Sequence, residues 1–71
     1  MVLEGTVQRS PMGPGVWVLV TPESQTYQLY RPAKSLLQEG LAVRATGRIR
    51  DDVMTVAMVG PVFEVQDFEL L

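Results

Sequence analysis

Apolar and polar positions alternate along most of the chain, and Gly and Pro cut the alternation into short pieces. Leu3, Gly5 and Val7 alternate with Glu4, Thr6 and Gln8, which predicts a strand over Val2–Gln8. Two Pro and two Gly within Arg9–Gly15 predict a loop. Val16–Thr21 is apolar on both faces and reads as a second strand, Pro22–Gln25 as a turn, and Thr26–Arg31 as a third strand. Pro32–Glu39 is the helix candidate: Pro suits a first helical position, Ala33, Leu36 and Leu37 form one stripe, and Gly40 suits a left-handed cap. In Ala42–Arg50, Val43, Ala45, Gly47 and Ile49 share one face, and Arg44, Thr46, Arg48 and Arg50 share the other. Asp51-Asp52 then predicts a tight hairpin into Val53–Val59, pairing Ile49 with Met54. Gly60-Pro61 breaks that fifth strand, and Val62–Val65 resumes an extended pattern.

If Thr21 pairs with Thr26 across the second turn, Val18 lies opposite Leu29 and Trp17 opposite Tyr30. Val16, Val18, Val20, Tyr27 and Leu29 then share one face, and Trp17, Leu19, Gln28 and Tyr30 the other; a slip of one residue would exchange them. The expected core is Leu3, Val7, Val18, Val20, Leu29, Leu36, Val43, Ile49, Met54, Val56 and Phe63. Eleven Val against one Ile favour a pleated, β-rich interior.

Three strands, one short helix and two further strands match the layout of a small five-stranded antiparallel OB-fold-like barrel, with the whole chain, residues 1–71, as one all-β domain. Gly5 and Gly47 suit tight bends at barrel corners. An SH3-like barrel also has five strands, but its helical turn sits just before the last one. Glu4-Gly5-Thr6-Val7, Val16-Trp17-Val18-Leu19, Tyr27-Gln28-Leu29, Gly40 to Gly47 and the Met54–Met58 segment resemble small bacterial stand-alone OB-fold domains. These motifs are bends, core alternation and a cap, so the resemblance implies a fold and transfers no catalytic residue.

Composition narrows the chemistry. With no Cys and no His, the chain has no disulfide, no thiol- or imidazole-ligated metal, and no Cys or Ser nucleophile driven by His. No metal or cofactor is expected, and the chain does not read as an enzyme. The absence of Cys fits a cytoplasmic setting. No apolar run is long enough for a membrane helix, and Met1-Val2-Leu3-Glu4 does not read as a secretory signal. A formal charge of −2 is the wrong sign for a generic nucleic-acid binder.

Two constellations stand out. Trp17, Leu19 and Tyr30 would form an aromatic and apolar patch on the outer face of the second and third strands, with the Met12 loop beside it and Arg9, Arg31 and Lys34 nearby. That is the face on which OB-folds commonly bind ligands. The competing reading is simple packing beneath a loop or the last residues. Arg44, Arg48 and Arg50 form a basic stripe on the fourth strand, able to grip phosphate or carboxylate, or else paired with acidic neighbours such as Glu4 across the sheet. The stripe and the patch should lie on different sides of the barrel, and Asp51-Asp52 would repel phosphate at the tip. The acids Glu64, Asp67 and Glu69 read as scattered along an exposed C-terminal stretch. The chain therefore reads as a binding module, monomeric or weakly self-associating, for a protein partner through Trp17, Leu19 and Tyr30. The alternative is single-stranded nucleic acid stacked on the same aromatics.

Overall fold

A computed structural model of the chain describes residues 1–10, 15–53 and 60–71. They form a closed barrel of β1 (Val2–Arg9), β2 (Trp17–Val20), β3 (Thr26–Tyr30), β4 (Ala42–Ile49) and β5 (Val62–Leu70), ordered β1-β2-β3-β5-β4 around the wall. β1 is shared: Thr6 lies opposite both Val20 of β2 and Ala42 of β4. The expected antiparallel pairing holds except between β3 and β5, which run parallel. A parallel pair needs a long crossover, and the excursion through β4 supplies it. Gly5 and Gly47 sit where walls meet. A Cβ on Gly5 would press on the Val20 carbonyl, and one on Gly47 would overlap the Glu64 carbonyl, so both corners require glycine.

The core is Val7, Leu19, Leu29, Leu36, Val43, Ala45 and Phe63, flanked by half-buried Leu3, Trp17, Tyr27, Leu41, Val65 and Phe68. Tyr27 meets Phe63 edge-on, with centroids 6.2 Å apart. Of the expected core, Met54 and Val56 lie outside the described residues, as does most of the expected strand over Val53–Val59.

The register of β2 on β3 differs from the expected one by a single residue. Val18 pairs with Gln28, Leu19 with Tyr27 and Val20 with Thr26. The turn decides this. The Ser24 N–H donates to the Thr21 carbonyl and the Thr21 N–H to the Gln25 carbonyl, both at 2.9 Å, and Ser24 is left-handed with φ 65°. That is a three-residue hairpin loop, so Thr21 faces Gln25 and not Thr26. The slip turns Leu19, Trp17 and Tyr27 inward with Leu29. Val18, Val20, Gln28 and Tyr30 turn outward. Val18 remains buried, and so does Val62, but neither belongs to the barrel core.

The helix expected over Pro32–Glu39 is a single 3-10 turn, Lys34–Leu36. Ala33 is extended, and the Leu36 N–H donates to the Ala33 carbonyl at 2.9 Å. The chain has no slack for more helix, because the next residues join the wall. The Gly40 N–H donates to the Val7 carbonyl at 2.7 Å, and the Val7 N–H to the Leu41 carbonyl at 2.8 Å. One turn is enough to drop Leu36 into the core.

β4 alternates as expected and its far end pairs with β5; the expected pairing of Ile49 with Met54 lies outside the described residues. Ile49 pairs with Phe63, and the Arg50 N–H donates to the Val62 carbonyl at 2.8 Å. Gly60-Pro61 immediately precedes β5. Ile49 is the last residue of β4 and is 37% exposed, while Leu19 is 1% exposed. Leu19→Ala should therefore cost about 2–5 kcal/mol, whereas Ile49→Ala should cost roughly 1 kcal/mol or less. Urea unfolding of the two variants checks this; equal losses would contradict the observed facing of β2.

Candidate functional site

The outer face of β1, β4 and β5 is a lattice of ion pairs set by strand register. Glu4 lies opposite Arg44 and Arg44 opposite Glu69. Arg44 Nε donates to Glu4 Oε2 at 2.7 Å and Nη1 to Glu69 Oε1 at 2.8 Å. Arg48, opposite Glu64, donates from Nε to Glu64 Oε1 at 2.9 Å. Arg50 grips Asp52 with two bonds of 2.8 Å and reaches Glu64 Oε2 at 3.2 Å. All three arginines of the stripe are thus bound to carboxylates. The pairing with Glu4 was anticipated; the roles of Glu64, Glu69 and Asp52 were not. The exposed contacts to Glu4 and Glu69 add little stability individually, and that between Arg50 and Glu64 is half-buried. They do hold the guanidinium groups in place and raise the Arg44 and Arg50 pKa values, chiefly through the bonds to Glu4 and Asp52 respectively.

The same lattice reaches Tyr30. Glu64 lies between Arg48 on β4 and Tyr30 on β3. The Arg50 guanidinium sits 5.2 Å from the Tyr30 ring centroid, and that of Arg31 5.3 Å. Both are within cation–π range. The stripe and the aromatic face, expected on different sides of the barrel, therefore meet at Tyr30. The expected Trp17–Tyr30 pair does not form: Trp17 packs against the core and Tyr30 lies on the outer face. Leu19 is in the core and cannot contribute to a surface patch.

Arg9, Arg31 and Lys34 are exposed and, among the described residues, take part in no ion pair. Arg9 ends β1, Arg31 follows β3, and Lys34 opens the 3-10 turn. β1 and β3 both run antiparallel to β2, so all three cations gather at one end of the barrel. Glu39 is at the same end, accepting a bond from the Arg9 backbone N–H at 3.4 Å. Among the described residues there is no group of three or more acidic side chains placed to hold a metal ion. None of the described helices is long and apolar enough to cross a membrane.

Compared with protein-family models, curated proteins and solved structures, the chain shows no significant match to any of them.

The two bonds from Arg50 hold the Asp52 carboxyl down to about 2, from an ordinary 3.8. Glu64 is lowered as well, chiefly by Arg48. A carboxyl whose pKa is lower in the folded state stabilises the fold above its unfolded pKa, and loses that effect as pH falls through the folded value. The Asp52 contribution should thus be complete above about pH 4 and fade toward pH 2. Carboxyl NMR titration should find a midpoint near 2 for Asp52, returning toward 3.8 in Arg50→Gln; an unchanged midpoint would remove the contact as its cause.

Proposed function

We propose that this chain is a non-catalytic binding module that engages a protein partner. The strand order, the parallel β3–β5 pair and the helical turn between β3 and β4 are compatible with an OB-like barrel. In such barrels the outer face of the second and third strands commonly binds the ligand. Here that face carries buried Val18 and half-buried Val20, Thr26, Gln28 and Tyr30, with Arg31 at its edge.

The observation that carries the reading is the state of Tyr30. Two guanidinium groups already lie 5.2 and 5.3 Å from its ring centroid, so a nucleobase stacking there would compete with them. Trp17, the other candidate platform, packs against the core. Arg44, Arg48 and Arg50, which could have held phosphates, are held by carboxylates. A net charge of −2 adds no long-range attraction for a polyanion. Protein surfaces make no such demand, and a half-buried Tyr flanked by Arg is a residue pairing favoured at binding hot spots.

The competing reading, single-stranded nucleic acid, is favoured by Arg9, Arg31 and Lys34 gathering without ion pairs at one end of the barrel. Titration of fluorescently labelled single-stranded oligonucleotides at low and moderate salt separates the two. The expected result is no saturable binding at low salt. Tight binding that falls steeply with salt and disappears in Tyr30→Ala would replace the protein partner with nucleic acid.

A further inference from the structure

β3 stops at Tyr30 for local reasons. Arg31 is left-handed, with φ 46°, and Pro32 has no N–H to offer a neighbouring strand. Pairing between β3 and β5 is therefore confined to the stretch from Gln28–Val62 to Tyr30–Glu64. β5 continues to Leu70 against β4. From Gln66 to Leu70 its other edge faces no strand among the described residues. The irregularity between Thr46 and Gly47, where Gln66 is skipped, marks the place at which this free stretch begins.

Hydrogen-bond phase identifies the groups on the free edge. The Leu71 N–H donates to the Ala42 carbonyl at 3.1 Å. Counting back through the antiparallel ladder turns the backbone groups of Glu69 and Asp67 toward β4, and those of Phe68 and Leu70 away from it. A side-chain bond agrees with that count: the Phe68 N–H is met at 2.9 Å by Oδ1 of Asp67. Side chains alternate along the same stretch. Phe68 packs against the core and Leu70 is 65% exposed, while Asp67 and Glu69 are exposed on the opposite face.

We propose that this edge of β5 accepts an extended segment of a partner protein as an added strand, with side chains that alternate apolar and basic. The N–H and C=O groups of Phe68 and Leu70, turned away from β4, supply the ladder, and Leu70 supplies apolar surface on one face. Asp67, which makes no ion pair among the described residues, calls for a Lys or Arg on the other. In the free protein the Asp67 carboxylate occupies the Phe68 N–H and is released when the incoming strand takes that bond. A second copy of this chain is a poor occupant. Antiparallel β5 on β5 centred at Phe68 sets Asp67 directly opposite the partner's Glu69, like charge against like.

This inference rests on the protein-partner reading and adds the surface and the partner's chemistry. The test uses the whole chain, 15N-labelled, titrated with a short blocked peptide of alternating Val and Lys and with its Val/Glu counterpart. The Val/Lys peptide should shift the amide signals of Phe68 and Leu70, and the Val/Glu peptide should not. Leu70→Pro deletes an edge N–H that makes no bond to β4 and should weaken binding about tenfold or more. Asp67→Lys should reverse the preference between the peptides; it decides the matter alone if Leu70→Pro disturbs the β4 amides. Absence of shifts over 66–70, or equal shifts with both peptides, overturns the proposal. Concentration-dependent dimerisation through these amides replaces the partner with a second copy. Shifts confined to Val20, Thr26 and Tyr30 overturn the edge while leaving a protein partner in place, which oligonucleotide binding lost in Tyr30→Ala would not.

Discussion

The barrel is closed by a short parallel contact in which Gln28, Leu29 and Tyr30 of β3 face Val62, Phe63 and Glu64 of β5. The other walls are antiparallel neighbours that follow from hairpins and from β1 lying between β2 and β4. Without the β3–β5 contact, Leu29 and Phe63 would not share an interior. With it, Phe63 fills the space between β3 and β4 and is fully buried. The same contact brings Glu64 out on the far side of the strand, between Tyr30 and Arg48. Core and surface are therefore organised by one stretch of backbone pairing. Its limits are local: left-handed Arg31 and Pro32 end it on one strand, and the irregularity at Gln66 follows it on the other.

The surface charges depend on that irregularity. Arg44 and Arg48 are four residues apart on β4, while their partners Glu69 and Glu64 are five apart on β5. Regular pairing could satisfy one of the two bridges but not both. The skipped residue absorbs the difference, so both arginines meet carboxylates. Arg50, held by Asp52 and Glu64, is thereby placed against Tyr30. A stripe that looks available for phosphate in one strand is engaged once three strands are side by side.

Much of the wall was legible in the chain. The alternation of Val43, Ala45 and Gly47 with Arg44, Thr46 and Arg48 has one interpretation as a half-buried strand, and Gly5 and Gly47 mark true corners. Glu4 opposite Arg44 followed from placing the first strand beside the fourth. The candidate site was less legible. Val16–Thr21 is apolar on both faces, so its pattern cannot say which face is inside. A one-residue difference in the turn moved Leu19 and Trp17 from the proposed surface to the interior. The partners Glu64 and Glu69 were hidden because the alternation around Gln66 is broken by the skipped residue.

The sequence by itself determined that the chain is β-rich with short strands, where most of those strands begin, and which chemistries are absent for want of Cys and His. These follow from local rules: residue preference, alternation and the dihedral limits of Gly and Pro. Only the tertiary structure decided the register of β2 on β3, the pairing of Ile49 with Phe63, the shortening of the helix to one turn, and the meeting of Arg50 with Tyr30. Each of these depends on closure around a shared interior. A turn, a skipped residue or a crossover is chosen there for the fit of distant side chains, and that choice leaves no mark in the neighbouring sequence.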